Sequence, residues 1–98
     1  MKCFKAYQHQ MILLKDNTVA DGDFILDEGL TVRVKEGLLN DFIDEEGIVY
    51  PAIETANGSH IEHWVNGVLH CENGPAVIDS VDQYEQWWLD GIEVKKDS

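Results

Sequence analysis

His63-Trp64-Val65-Asn66-Gly67-Val68 returns 24 positions later as Trp87-Trp88-Leu89-Asp90-Gly91-Ile92, and in the same register Pro51-Ala52-Ile53 falls on Pro75-Ala76-Val77. Each unit reads as Pro-Ala, a short apolar run, a polar turn, an aromatic run, then Asn-Gly or Asp-Gly. Those dipeptides tolerate the positive φ of tight hairpin turns, so the unit is a strand, a turn and a returning strand. A hairpin of this size cannot bury its apolar face alone, and neighbours must pair or stack in series. The expected fold is mainly β, an antiparallel meander of β-hairpin repeats.

Upstream the same grammar continues less regularly. Val34-Lys35-Glu36-Gly37-Leu38-Leu39 resembles Trp64 to Leu69, but Gly37 to Pro51 is 14 positions whereas Gly67 to Pro75 is 8. The extra residues fall around Leu38 to Gly47, where Leu38, Leu39, Phe42 and Ile43 recur at i, i+1, i+4 and i+5. That spacing predicts one short amphipathic helix near 38–46, docked on the sheet. Cys3 to Tyr7, Gln10 to Leu14, Asp23 to Leu26 and Leu30 to Val34 read as strands, the last with alternate residues facing water. The chain of 98 residues is expected to form a single domain, 1–98, with irregular N-terminal strands over 1–36 and an acidic hairpin-repeat region over 37–94. Lys95 to Ser98 are expected to fray.

The charge is as uneven as the repeat is regular. The chain holds 19 acids against 7 bases, for a net charge of −12. From Glu36 to Val94 there is no Lys or Arg at all, while the same 59 residues hold 13 Asp and Glu. Hydrophobic residues at 44% rule out the apolar poverty of a disordered chain. Concentrated like charge costs folding free energy through repulsion, so it signals either solubility or a cationic partner. Direct nucleic-acid binding is disfavoured, because duplex affinity comes largely from Lys and Arg neutralising phosphates. An anionic membrane is disfavoured on the same ground. Met11-Ile12-Leu13-Leu14 is too short to span a bilayer, and the expected location is the cytoplasm.

Trp64-Val65-Asn66-Gly67-Val68-Leu69-His70-Cys71-Glu72-Asn73-Gly74-Pro75-Ala76 resembles a bacterial and bacteriophage repeat of the form aromatic-x-x-Gly-x-x-His-Arg-x-x-Gly-Pro-Ala, distantly similar to MORN repeats. The match covers one full unit and much of a second, about 45 of 98 residues. It implies an array of hairpins and a phage or mobile-element origin, and leaves the activity open. Cys71 stands where the repeat usually has Arg, and no His follows Gly91-Ile92-Glu93-Val94. Both departures make the surface more negative.

Other chemistries find less support. His60, His63 and His70 lie within 11 residues, beside Glu62, Cys71 and Glu72, but His60 and His63 face opposite sides of a regular strand. A metal site needs three or four ligands converging on one point, so none is expected. His70 is assigned to repeat packing, and His60 and His63 to the surface. Cys71 and His70 are adjacent and point apart, which argues against nucleophilic catalysis. No segment has the ligand spacing of an EF-hand loop. Cys3 and Cys71, 68 positions apart, read as free thiols. Trp64 and Trp88 are expected in the core, whereas Trp87 takes the opposite facing and could anchor an interface beside Tyr84 and Glu85.

The expected role is therefore a small, non-enzymatic, cofactor-free inhibitor. Acids two apart on a strand lie about 6.6 Å from one another on one side, a row comparable to duplex phosphates. Asp41, Asp44, Glu45, Glu46, Glu54, Glu62, Glu72, Asp79, Asp82 and Glu85, with Trp87, are the expected partner-binding residues. The expected partner is a basic nucleic-acid-binding protein, a CRISPR effector being one such target and an anti-CRISPR one such role. The alternatives are a scaffold or antitoxin-like repeat module that binds through its aromatic hairpins, and a homodimer through the terminal hairpin edge.

Overall fold

The computed structural model describes residues 2–95, so that of the tail expected to fray, Lys95 to Ser98, residues 96–98 lie outside the described residues. Three turns set the architecture. Glu36-Gly37, Asn66-Gly67 and Asp90-Gly91 all take positive φ at both positions, from 48° to 51° at the first residue and 84° to 85° at the glycine. This is the turn whose twist matches that of the strands it joins. At Gly67 a Cβ would stand 3.1 Å from Leu38 Cδ2, so the site needs glycine for close approach as well as for φ.

The strands are β1 (Gly22–Ile25), β2 (Thr31–Lys35), β3 (Leu38–Leu39), β4 (Phe42–Ile43), β5 (Val49–Tyr50), β6 (Ile53–Glu54), β7 (His60–Glu62), β8 (Trp64–Val65), β9 (Val68–Leu69), β10 (Val77–Asp79), β11 (Tyr84–Leu89) and β12 (Ile92–Val94). The main sheet runs β1-β2-β6-β7-β10-β11-β12, with β3 added beside β2. All its pairings are antiparallel. The strands it skips are hairpin excursions, β4-β5 and β8-β9.

Each repeat uses one bent stretch of chain twice. The first half of β2 pairs with β6 and its second half with β3. Likewise β7 pairs within the sheet and β8, directly after it, forms the hairpin with β9. In β11 the first half meets β10 and the second half meets β12. The three hairpins stack through matching backbone bonds, the Gly37 N–H donating to Ala20 O, Gly67 to Leu39 O and Gly91 to Leu69 O at 2.8–2.9 Å.

The core is a ladder of repeat-equivalent residues. Val34, Trp64 and Trp88 occupy one rung position, Leu39 and Leu69 another, Ala52 and Ala76 a third, Ile53 and Val77 a fourth, and all are buried. The indole N–H of Trp64 donates to Glu62 and that of Trp88 to Gln86, two residues upstream in both cases. Trp64 and Trp88 thus sit in the core as the repeat register predicts.

Three local expectations are corrected. No helix spans 38–46: Leu38–Leu39 is the returning strand of the first hairpin, and Phe42–Ile43 pairs with Val49–Tyr50 around the turn at Asp44 to Gly47. Cys3 to Tyr7 is not a strand, since Lys5–Tyr7 forms a single 3-10 turn. Gln10 to Leu14 contributes only an isolated bridge, Leu13 to Val19, with Ile12 bonded to Ala20 and to Gly37 of the first turn and Leu14 to Thr18. Both free cysteines are half-buried. Among the described residues, no helix is long and apolar enough to cross a membrane.

Candidate partner-binding surface

Two of the acids expected at the surface lie inside. Glu62 and Asp79 are 0% and 2% exposed, and His60, also expected outside, is 1% exposed between them. His60 Nδ1 lies 2.8 Å from Asp79 Oδ2 and Nε2 lies 2.6 Å from Glu62 Oε2. Trp64 Nε1–H and the Phe4 backbone N–H also donate to Glu62, and the Asp82 N–H donates to Asp79. Buried charge persists only where it is paired and hydrogen-bonded, and here each carboxylate is. Neutral imidazole has one N–H, whereas the doubly protonated ring donates to both carboxylates at these distances. Burial alone would push the His60 pKa down, but the bonds to Glu62 and Asp79 together hold it above its ordinary value.

Three further acids build the fold and present little free charge. Asp41 Oδ1 accepts the backbone N–H of Ala52 and Trp64, and its Oδ2 lies 2.8 Å from His63 Nδ1. This one side chain fastens the β4-β5 insertion to two strands. Asp44 accepts the N–H of Glu46 and Ile48 and the hydroxyl of Tyr50, which holds its carboxyl below the usual range, the Ile48 bond contributing most. Glu54 is paired with Arg33 at 2.9 Å, and the same guanidinium stands over the Tyr50 ring.

The rest of the expected acidic surface is outside. Glu45 and Glu46 sit on the turn of the insertion, and Glu72, Asp82 and Glu85 are exposed. Glu36, Asp90 and Glu93 join them, although only their place in the base-free stretch pointed to them. Trp87 is half-buried on the face that carries Arg33 and His63 at the equivalent positions of the other units. His70 plays the packing role expected of it: its Nδ1 accepts the Asp90 N–H, as Asn40 Oδ1 accepts the Asn66 N–H one hairpin earlier.

What the sequence did not reveal is an apolar groove beneath the insertion. Its volume is about 990 Å³, and its lining runs from Asp21 and Asp23 past Phe42, Ile43 and Val49 to Val65, Cys71 and Glu72. Phe42 and Ile43 are 52% and 62% exposed. A helix would have turned both onto the sheet, whereas the two-residue strand leaves them in water. Across β4-β5 the Phe42 and Tyr50 rings pack at 5.9 Å, which makes the hairpin a defined wall.

The thiol chemistry is muted at one cysteine, since burial and the nearby Glu62 push the Cys3 pKa up to about 12. Among the described residues no group of three or more His, Cys, Asp and Glu is arranged to hold a metal ion. Compared with protein-family models, with curated proteins and with solved structures, the chain matches none.

Proposed function

We propose that the protein is a small binding module whose acidic surface occupies a cationic site on another protein, one that otherwise holds nucleic acid, and so inhibits it. The observation that carries this reading is the base-free stretch from Glu36 to Val94, whose outward-facing charges, at Glu36, Glu45, Glu46, Glu72, Asp82, Glu85, Asp90 and Glu93, are all negative. Electrostatic complementarity of that kind speeds encounter and excludes wrong partners. The reading includes the anti-defence role, with a CRISPR effector as the partner, as its most specific form. The resemblance of the hairpin sequence to phage and bacterial repeats supports that form.

The test is a pull-down from bacterial lysate on immobilised protein, eluted stepwise with salt and compared with the Glu45→Lys, Glu46→Lys, Glu72→Lys triple variant. These three side chains are exposed, and the variant leaves the buried cluster and the Asp44 turn intact. A nucleic-acid-binding protein that elutes at modest salt and is lost with the variant is expected. Retention by the variant would remove charge mimicry. The exposed apolar hairpin favours a second reading, a scaffold or antitoxin-like module in which Phe42, Ile43 and Trp87 dominate binding and the acids only solubilise.

A further inference from the structure

We propose that the groove under β4-β5 is the docking site for a short segment of a partner protein whose apolar centre is flanked by Lys or Arg. The proposal rests on the binding role argued above and names what that surface takes. Phe42, Ile43, Val49 and Val65 expose apolar surface along one concavity, and Phe42, Ile43 and Val49 come from a hairpin outside the main sheet. Contiguous exposed apolar surface rimmed by polar groups marks an interaction site more often than scattered residues do. An occupant with an apolar centre is required to cover it.

The flanks decide the occupant's charge. Asp21, Asp23, Asp41 and Glu72 give the lining four carboxylates against two cations, Arg33 and Lys35. Arg33 is already engaged by Glu54 and Asp23, and Asp41 by His63. Asp21 directly precedes β1 and accepts the Glu36 N–H, and Glu72 follows β9, its carboxylate 3.5 Å from His70 Nε2. The lining therefore keeps an excess of carboxylate over cation, and Asp21 and Glu72 hold theirs in water. An anionic or plainly apolar segment would leave those carboxylates opposed or unmatched. A segment with cationic ends meets both.

The experiment uses the full chain, labelled with ¹⁵N, and two synthetic peptides of equal charge: Lys-Lys-Leu-Val-Leu-Lys-Lys, and a companion with Ser at the three apolar positions. Amide shift changes are mapped at low salt, and affinity is read by fluorescence anisotropy. The Leu-Val-Leu peptide is expected to shift the amides of Phe42, Ile43, Val49, Val65 and Cys71. It should bind roughly tenfold more tightly than the serine peptide, and Ile43→Ser should remove that advantage, as expected for burying an aliphatic side chain. Equal binding of both peptides, with shifts elsewhere on the acidic surface and no effect of Ile43→Ser, would overturn the groove and leave the cationic-partner reading standing. Failure of both peptides to bind at low salt would overturn both. The shift map on the unmodified protein decides the matter even where the variant folds poorly.

Discussion

His60 is the residue on which stability should turn. Its folded pKa lies above the ordinary 6.5, so the stability it confers is fully present below pH 6.5 and is lost as pH rises through the folded value. The acid limb has the opposite sign: Asp79 is held below its usual 3.8, first by the Asp82 N–H, so its contribution is present above pH 3.8 and is lost as pH falls through the folded value. Cys3 and Tyr84, both raised to about 12, add to the alkaline loss only near and above their ordinary values of 9.0 and 10.0. Between pH 6.5 and 8.5 the larger part of the fall is expected to belong to His60. Urea midpoints across that window should decline more steeply in the wild type than in His60→Gln. That variant strands two buried carboxylates and should cost about 3–5 kcal/mol at pH 6. A level wild-type profile would show that the ring is not the proton holder. Strand parity already carried this information: His60 and Glu62 share the facing of Trp64, and placing Trp64 in the core places them there too. What parity could not supply is Asp79, which arrives from another strand to complete the pairing.

At the scale of the element, the insertion shows how a short apolar pattern misleads. Leu38, Leu39, Phe42 and Ile43 fit a helical stripe, but a helix of two or three turns is marginal on its own. Leu38-Leu39 had a stronger commitment, as the counterpart of Val68-Leu69 after the Glu36-Gly37 turn. Repeat register won over helical spacing. The remaining residues then closed a second hairpin, for which Asp44 supplies the turn bonds and Phe42 with Tyr50 the cross-strand contact. Asp44→Ala is expected to loosen this hairpin alone. Hydrogen exchange should speed up at Glu46 and Ile48 while the amides of Trp64 and Val77 keep their protection. Loss of protection throughout would mean that the insertion holds the core together, which its separate pairing argues against.

Across the whole molecule, the hairpin architecture and the excess of acid were both legible, the first from the 24-residue register and the second from composition. Which acids face water was legible only in part: parity places Glu62 inside, but Asp79 and Asp41 are fixed by partners from distant strands, as Asp79 meets His60 and Asp41 meets Ala52 and Trp64. The exposed excess has a consequence for stability opposite in sign to its consequence for binding. A chain of net charge −12 packed within 46 × 31 × 27 Å repels itself over distances that low salt does not screen. The Debye length falls from about 30 Å at 0.01 M to about 3 Å at 1 M, so salt removes repulsion between turns while leaving the buried His60 cluster almost untouched. Thermal midpoints should therefore rise with sodium chloride over that range, and rise less in the Glu45→Lys, Glu46→Lys, Glu72→Lys variant, which starts with less repulsion. Partner affinity should fall over the same titration. A midpoint that falls with salt would mean that surface attraction outweighs repulsion, and the acidic face would then be an ordinary, internally balanced surface.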